Sequence, residues 1–200
     1  MKTRVNGSGV LASAAVVTGL IAGVYYAFAC SVMLGLGASG DRTFIEAMQN
    51  INKKIENPVF FLTFFGALVL PAWALRTFRH DRRLRLWIAA GLVLYAVGLL
   101  TTMAVNIPLN NQLAAAGAPA KITDPAAVRA RFEDTWNMWN IARALLSTGA
   151  AACLARALLI AGRREGGWQE GGWQEGGWQE GGWQEGSRQG ERQQGEGRFA

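Results

Sequence analysis

The sequence predicts an all-α fold, a four-helix transmembrane bundle with a disordered C-terminal tail. Three observations predict it. Half of the 200 residues are hydrophobic and only 17% are charged, against about 25% charged in soluble domains. The apolar residues gather into four runs separated by short polar segments. The charge is also unevenly spread. Residues 163–200 hold 5 Arg and 7 Glu, whereas residues 1–162 hold 15 Lys and Arg against 7 Asp and Glu.

A membrane-spanning helix needs about 20 mostly apolar residues. The runs place spans at about 10–36, 57–76, 86–106 and 139–160, within a membrane domain of residues 1–162. The first carries no charge from Val5 through Gly40. Lys2 and Arg4 before it, with Ala27-Phe28-Ala29, imitate a signal peptide. The apolar stretch exceeds the 7–15 residues of a signal core, so a retained span is expected. Ala15, Gly19, Gly23, Ala27, Ser31 and Gly35 recur every four residues along it. Such a stripe lets helices approach closely in lipid. Packing inside the bundle is the favoured reading, and a homodimer face is the alternative.

Phe44, Met48, Ile51 and Ile55 fall at helical spacing and predict an amphipathic helix across the bundle mouth. Asn57-Pro58 opens span two, and Leu86–Val105 is the charge-free body of span three. That span runs into Asn106-Ile107-Pro108-Leu109-Asn110, where the proline is expected to stop the helix. Span four is the weakest, because only Ala144–Ala155 lies between Arg143 and Arg156 without charge. An Arg near a span end can snorkel to the interface. That accounts for Arg156 and leaves Arg143 open between a snorkel and a site residue.

Lys and Arg in short loops set orientation. One side collects Lys2, Arg4, the Arg76–Arg85 loop and Arg163-Arg164, 9 in all, and the other collects 6. The expectation is a multi-pass protein of the cell membrane with both termini cytoplasmic and the lipid bilayer as its first partner. The tail, 163–200, contains four copies of Gly-Gly-Trp-Gln-Glu. A five-residue period and paired glycines fit neither helix nor strand, and disorder is expected there.

The composition excludes several classes. A pI near 9.9 comes from residues flanking apolar runs, with no single basic face for nucleic acid. Cys30 and Cys153 sit within apolar runs, unlike a secreted disulfide scaffold. His80 is the one histidine, and no Asp or Glu lies within a span, so no metal site and no cofactor is expected. What remains is a polar set at the outer ends of the spans. Trp136, Asn140 and Arg143 share one helical face. Trp136 and Trp139 suit either an interfacial belt or ring stacking. Asn106, Asn110, Asn140, Gln49 and Asn52 suit orienting ligand oxygens, and Arg143 suits an anion.

These same residues carry a family resemblance. The stretch Gly19–Phe28 with Val32-Met33 comes first, then Ala47-Met48-Gln49 with Ile51-Asn52. Asn57-Pro58-Val59-Phe60 with Phe64-Phe65-Gly66, Asn106–Asn110, and Trp136 with Trp139-Asn140 and Arg143 follow. In this order they resemble the anthrone oxygenase-like family of small four-span membrane proteins. The resemblance covers residues 10–160, and Leu34 stands where members often have a proline. It implies the four-span fold and, from members in polyketide pathways, oxidation of anthrones to anthraquinones.

Two functions follow as expectations. One is a scaffold, or a binder of a planar hydroxy-aromatic small molecule at the outer end of the bundle. The other is a cofactor-independent oxygenase in which Trp136 or Trp139 stacks the ring and Arg143, the candidate catalytic residue, stabilises its enolate. Glu46, Glu133 or Asp134 at the mouth would then be the candidate base.

Overall fold

The computed structural model describes residues 2–171, with side chains from 7 to 163. The described residues form helices and short connections, without a strand. Helix α1 (Lys2–Ala27) widens into a π-helical turn (Phe28–Val32) and continues as α2 (Met33–Gly37). Then come α3 (Asp41–Ile55), α4 (Pro58–Thr77) and α5 (Arg82–Thr101). A second π-helical turn (Thr102–Asn106) leads into α6 (Ile107–Ala115), and α7 (Pro125–Gly171) follows. Met1–Ala161 is one compact unit, and a second unit starts at Gly162.

Local chemistry sets the helix starts. The Asn57 side chain accepts from the Phe60 amide at 3.1 Å and Pro58 occupies the first turn of α4, as the Asn-Pro pair predicts. Asp81 caps α5 by accepting from the amides of Arg83 and Leu84. Gly117, at φ 81°, turns the chain after α6 in a conformation that side chains disfavour.

Four helical segments are long and apolar enough to cross a membrane: Gly7–Gly37, Pro58–Thr77, Arg82–Ala115 and Pro125–Arg163. Three of them have 31 to 39 residues, about 46–58 Å at 1.5 Å per residue, against a hydrocarbon core of about 30 Å. They therefore outrun the bilayer. At the α3 end the excess folds into a cap, where Met33, Phe44, Ile45, Met48, Leu113, Ile122 and Phe132 pack together with Trp136. This is the amphipathic helix expected over Phe44–Ile55. A middle cluster joins Ile21, Tyr25, Phe64, Ala67, Tyr95, Ala144 and Ala150. The opposite end holds Leu11, Ala74, Leu84, Ile88, Leu154 and Ile160. Near that end a Cβ at Gly91 would stand 3.1 Å from the Ala150 carbonyl, so glycine permits this close crossing of α5 and α7.

Two expectations are corrected. Pro108 does not stop span three. The Ile107 amide bonds the Thr102 carbonyl five residues back, and the widened turn accommodates the proline before α6 continues to Ala115. Only the start of the small-residue stripe packs inside the bundle, with Ala15 against the core and Gly19 half-buried. Gly23, Ala27, Ser31 and Gly35 are exposed, because the buried face of α1 runs instead through Leu11, Ala14, Thr18, Ile21, Ala22 and Tyr25. Helix α7 starts well before the expected Trp139 and runs to Gly171. The rest of the tail, 172–200, lies outside the described residues.

Candidate functional site

The polar constellation assembles between the middle cluster and the cap, where both π-helical turns occur. Arg143 on α7 points into the bundle and is only 4% exposed, so it does not snorkel. Its Nη2 donates to Asn140 Oδ1 at 3.2 Å and its Nη1 to Thr102 Oγ1 at 3.4 Å. The guanidinium carbon lies 4.4 Å from the centre of the Tyr25 ring and 5.5 Å from that of Trp136. The Nε donor has no partner. Among the described residues both ion pairs belong to Arg129, so no carboxylate offsets the Arg143 charge. Taking such a charge out of water costs several kcal/mol, which cation–π contacts and neutral hydrogen bonds offset only in part.

The groups around it are held by the fold. Asn140 is fully buried, and while accepting from Arg143 it donates through Nδ2 to the Tyr25 carbonyl at 3.1 Å. It therefore ties α7 to α1 and fixes the guanidinium. Trp136 is buried, with its ring between Phe28 at 5.7 Å and Phe132 at 5.9 Å. It is not a member of an interfacial belt. Its Nε1 donates to Asn110 Oδ1 at 2.8 Å, which fixes the ring plane. Asn106 donates to the Trp136 carbonyl at 3.4 Å, and its Oδ1 is buried without a partner.

Thus Arg143, Trp136, Asn140, Asn106 and Asn110 come together, as the sequence predicts. Trp139 is half-buried and makes no ring contact or hydrogen bond with them. Gln49 serves the cap, donating to the carbonyls of Leu113 and Gly117 at the end of α6. Asn52 keeps a buried, unpartnered Nδ2. The three mouth carboxylates do not reach Arg143. Glu133 is paired with Arg129, and Glu46 and Asp134 are exposed. Sequence reasoning missed Tyr25 and Thr102. Tyr25 was legible as one of two adjacent polar-tipped rings in span one, and only the fold separates it, buried, from the exposed Tyr26. The role of Thr102 emerges only from the π-helical turn that sets it opposite Arg143.

Chemically, the arrangement is a fixed positive charge in a low-dielectric interior, faced by two aromatic rings. Beside it stand one free donor, Arg143 Nε, and one free acceptor, Asn106 Oδ1. No curated protein and no solved structure matches this chain. The family model for anthrone oxygenase matches residues 48–153, a span that takes in α4, α5 and the Trp136–Arg143 face, and the chain belongs to that family.

Proposed function

We propose that the bundle binds a planar hydroxy-aromatic anion at Arg143 and, as an anthrone oxygenase, converts an anthrone to an anthraquinone. The observation that carries this reading is the buried guanidinium of Arg143, which has aromatic faces and no carboxylate partner. An anthrone loses a proton from its ring CH2 to give an enolate. A cation held nearby in low dielectric favours that charged form. The Tyr25 and Trp136 rings wall the cation with apolar surface, and Asn106 Oδ1 accepts from a ring hydroxyl.

The balance needs only dioxygen. The enolate passes one electron to O2, and the two radicals join in a C–O bond. Loss of water across that carbon and the peroxide leaves a carbonyl. One anthrone and one O2 thus give one anthraquinone and one water. Since none of the mouth carboxylates lies at the guanidinium, water takes the first proton, and Arg143 acts by stabilising the enolate.

Purified protein in nanodiscs tests this directly. Anthraquinone formation in air should exceed autoxidation, and Arg143→Met should return it to background. A chain that binds the anthrone without accelerating its oxidation would leave the binder function alone. A chain that does neither would end the proposal.

Orientation belongs to the same reading. The Arg76–Arg85 loop is taken as cytoplasmic, together with both termini, in the cell membrane. Alkaline phosphatase fused after Gly117 should then be active, and fused after Asp81 inactive. The reverse pattern would place the Arg143 site at the cytoplasmic end.

A further inference from the structure

We infer that Thr18, Ser147 and the Nε of Arg143 hold a cluster of internal water, which extends the polar centre one helical turn beyond Arg143 into the bundle. This is a hydration site in the transmembrane core, and it does not depend on the proposed reaction.

The first observation is a departure from helical habit. A helix threonine or serine in an apolar setting usually donates to the carbonyl four residues back. Here Thr63, Thr77 and Thr101 do so at 2.9–3.0 Å, and so does the buried Thr102, whose Oγ1 donates to Gly98. Thr18 and Ser147 do not. Their hydroxyls have no partner, although the residues are 0% and 1% exposed. Buried polar groups left without a partner are rare and call for water or a ligand.

The second observation is register. Helices α1 and α7 run antiparallel. Asn140 bonds the Tyr25 carbonyl, and Leu11 and Leu154 share one cluster. Thr18 lies seven residues from both Tyr25 and Leu11, and Ser147 lies seven from both Asn140 and Leu154. Seven residues are two turns, so the two hydroxyls sit at one depth and on the facing sides of their helices. Ser147 is also one turn from Arg143 on the same helical face.

The third observation is space. Gly98 of α5 faces Ser147, and even a Cβ built there would stand 4.0 Å from Ser147 Oγ. Glycine keeps α5 free of a side chain at this level, where a Cβ would already be in ordinary contact with Leu146 and Ser147. Water satisfies all three groups at once, because it accepts from Nε and both donates to and accepts from the two hydroxyls. It also solvates the otherwise unpaired charge of Arg143. Below this level the core turns apolar, at Ala150 and Leu154, and the column ends.

The test uses the full chain in bicelles, with three conservative variants: Thr18→Val, Ser147→Ala and Gly98→Ala. The last adds a methyl that meets only ordinary contacts, 3.8 Å from Leu146 and 4.0 Å from Ser147, yet occupies the space assigned to water. With bridging water, each variant should lower Tm by about 2–4 °C, as expected for loss of roughly one hydrogen bond. Thr18→Val and Ser147→Ala together should cost less than the sum of the two. Magnetisation transfer from water to residues 18 and 147 should be seen in the wild type and be lost in Gly98→Ala. Without water, the two hydroxyl deletions would leave Tm unchanged or raise it, and Gly98→Ala would raise it through better helix propensity. That pattern, or wild-type residues 18 and 147 receiving no magnetisation from water, would overturn the inference.

Discussion

Helix α7 turns two arginines inward, and they live in opposite surroundings. Arg129, in the cap, bonds Asp41 and Glu133, reaches the carbonyls of Gly37 and Ser39, and lies 4.6 Å above the Phe44 ring. Each of its guanidinium nitrogens is used. It ties the turn after α2 and the start of α3 to α7, and its side chain keeps 14% exposure. Arg143, 14 residues further along the same helix, has two neutral acceptors, two rings and no protein partner at Nε. One cation is neutralised by its own protein and builds the fold. The other is held in place and left with charge to spare, which is the condition for binding an anion.

The sharpest way to break this comparison is to delete both charges in turn. Arg129→Met leaves two carboxylates and two carbonyls without their donor, and should cost about 2–3 kcal/mol of stability, tempered by partial solvent screening. Arg143→Met removes a charge that has no anionic partner. It should leave stability unchanged or raise it by as much as about 2 kcal/mol. Equilibrium unfolding in mixed micelles reads both. Equal losses in the two variants would show that Arg143 is a structural cation like Arg129.

A smaller effect is expected at the ring that faces Arg143. Trp136→Phe keeps the stack between Phe28 and Phe132 but loses the donor to Asn110, and should cost about 1 kcal/mol. Asn110→Ala should cost a similar amount, and the double variant should not sum the two, since they remove one bond. Additive losses would mean that the Trp136–Asn110 bond does not organise the site. Gln49→Ala should give the smallest change, about 0.5–1.5 kcal/mol in stability, with ligand affinity untouched. A fall in affinity in Gln49→Ala would extend the ligand site across the cap.

Much of this was legible in the chain. The four apolar runs, the Asn57-Pro58 start of α4 and the amphipathic period of α3 depend on local pattern and on the need to satisfy backbone groups in lipid, so they could be read directly. The shared face of Trp136, Asn140 and Arg143 follows from helical spacing alone. Other features depend on neighbours far apart in sequence. Whether Pro108 breaks a helix or is accommodated by a widened turn just before it is decided by the walls around it. The stripe from Gly19 to Gly35 shows that one face is small, not which way it points. Gln49 and Asn110 have the same amide chemistry, yet one closes the end of α6 and the other orients an indole. That difference is set by which helix end lies opposite.

The central claim is that Arg143 offers its planar donors to an anion on a flat aromatic body. It is tested most directly by melting the purified protein with and without a redox-inert hydroxyanthraquinone. The wild type should be stabilised by the ligand. Arg143→Lys keeps the charge but loses the planar fork, so the fold should survive while binding weakens by about 1.5–3 kcal/mol. Wild-type protein whose melting ignores the ligand, or a shift that survives intact in Arg143→Lys, would contradict the account.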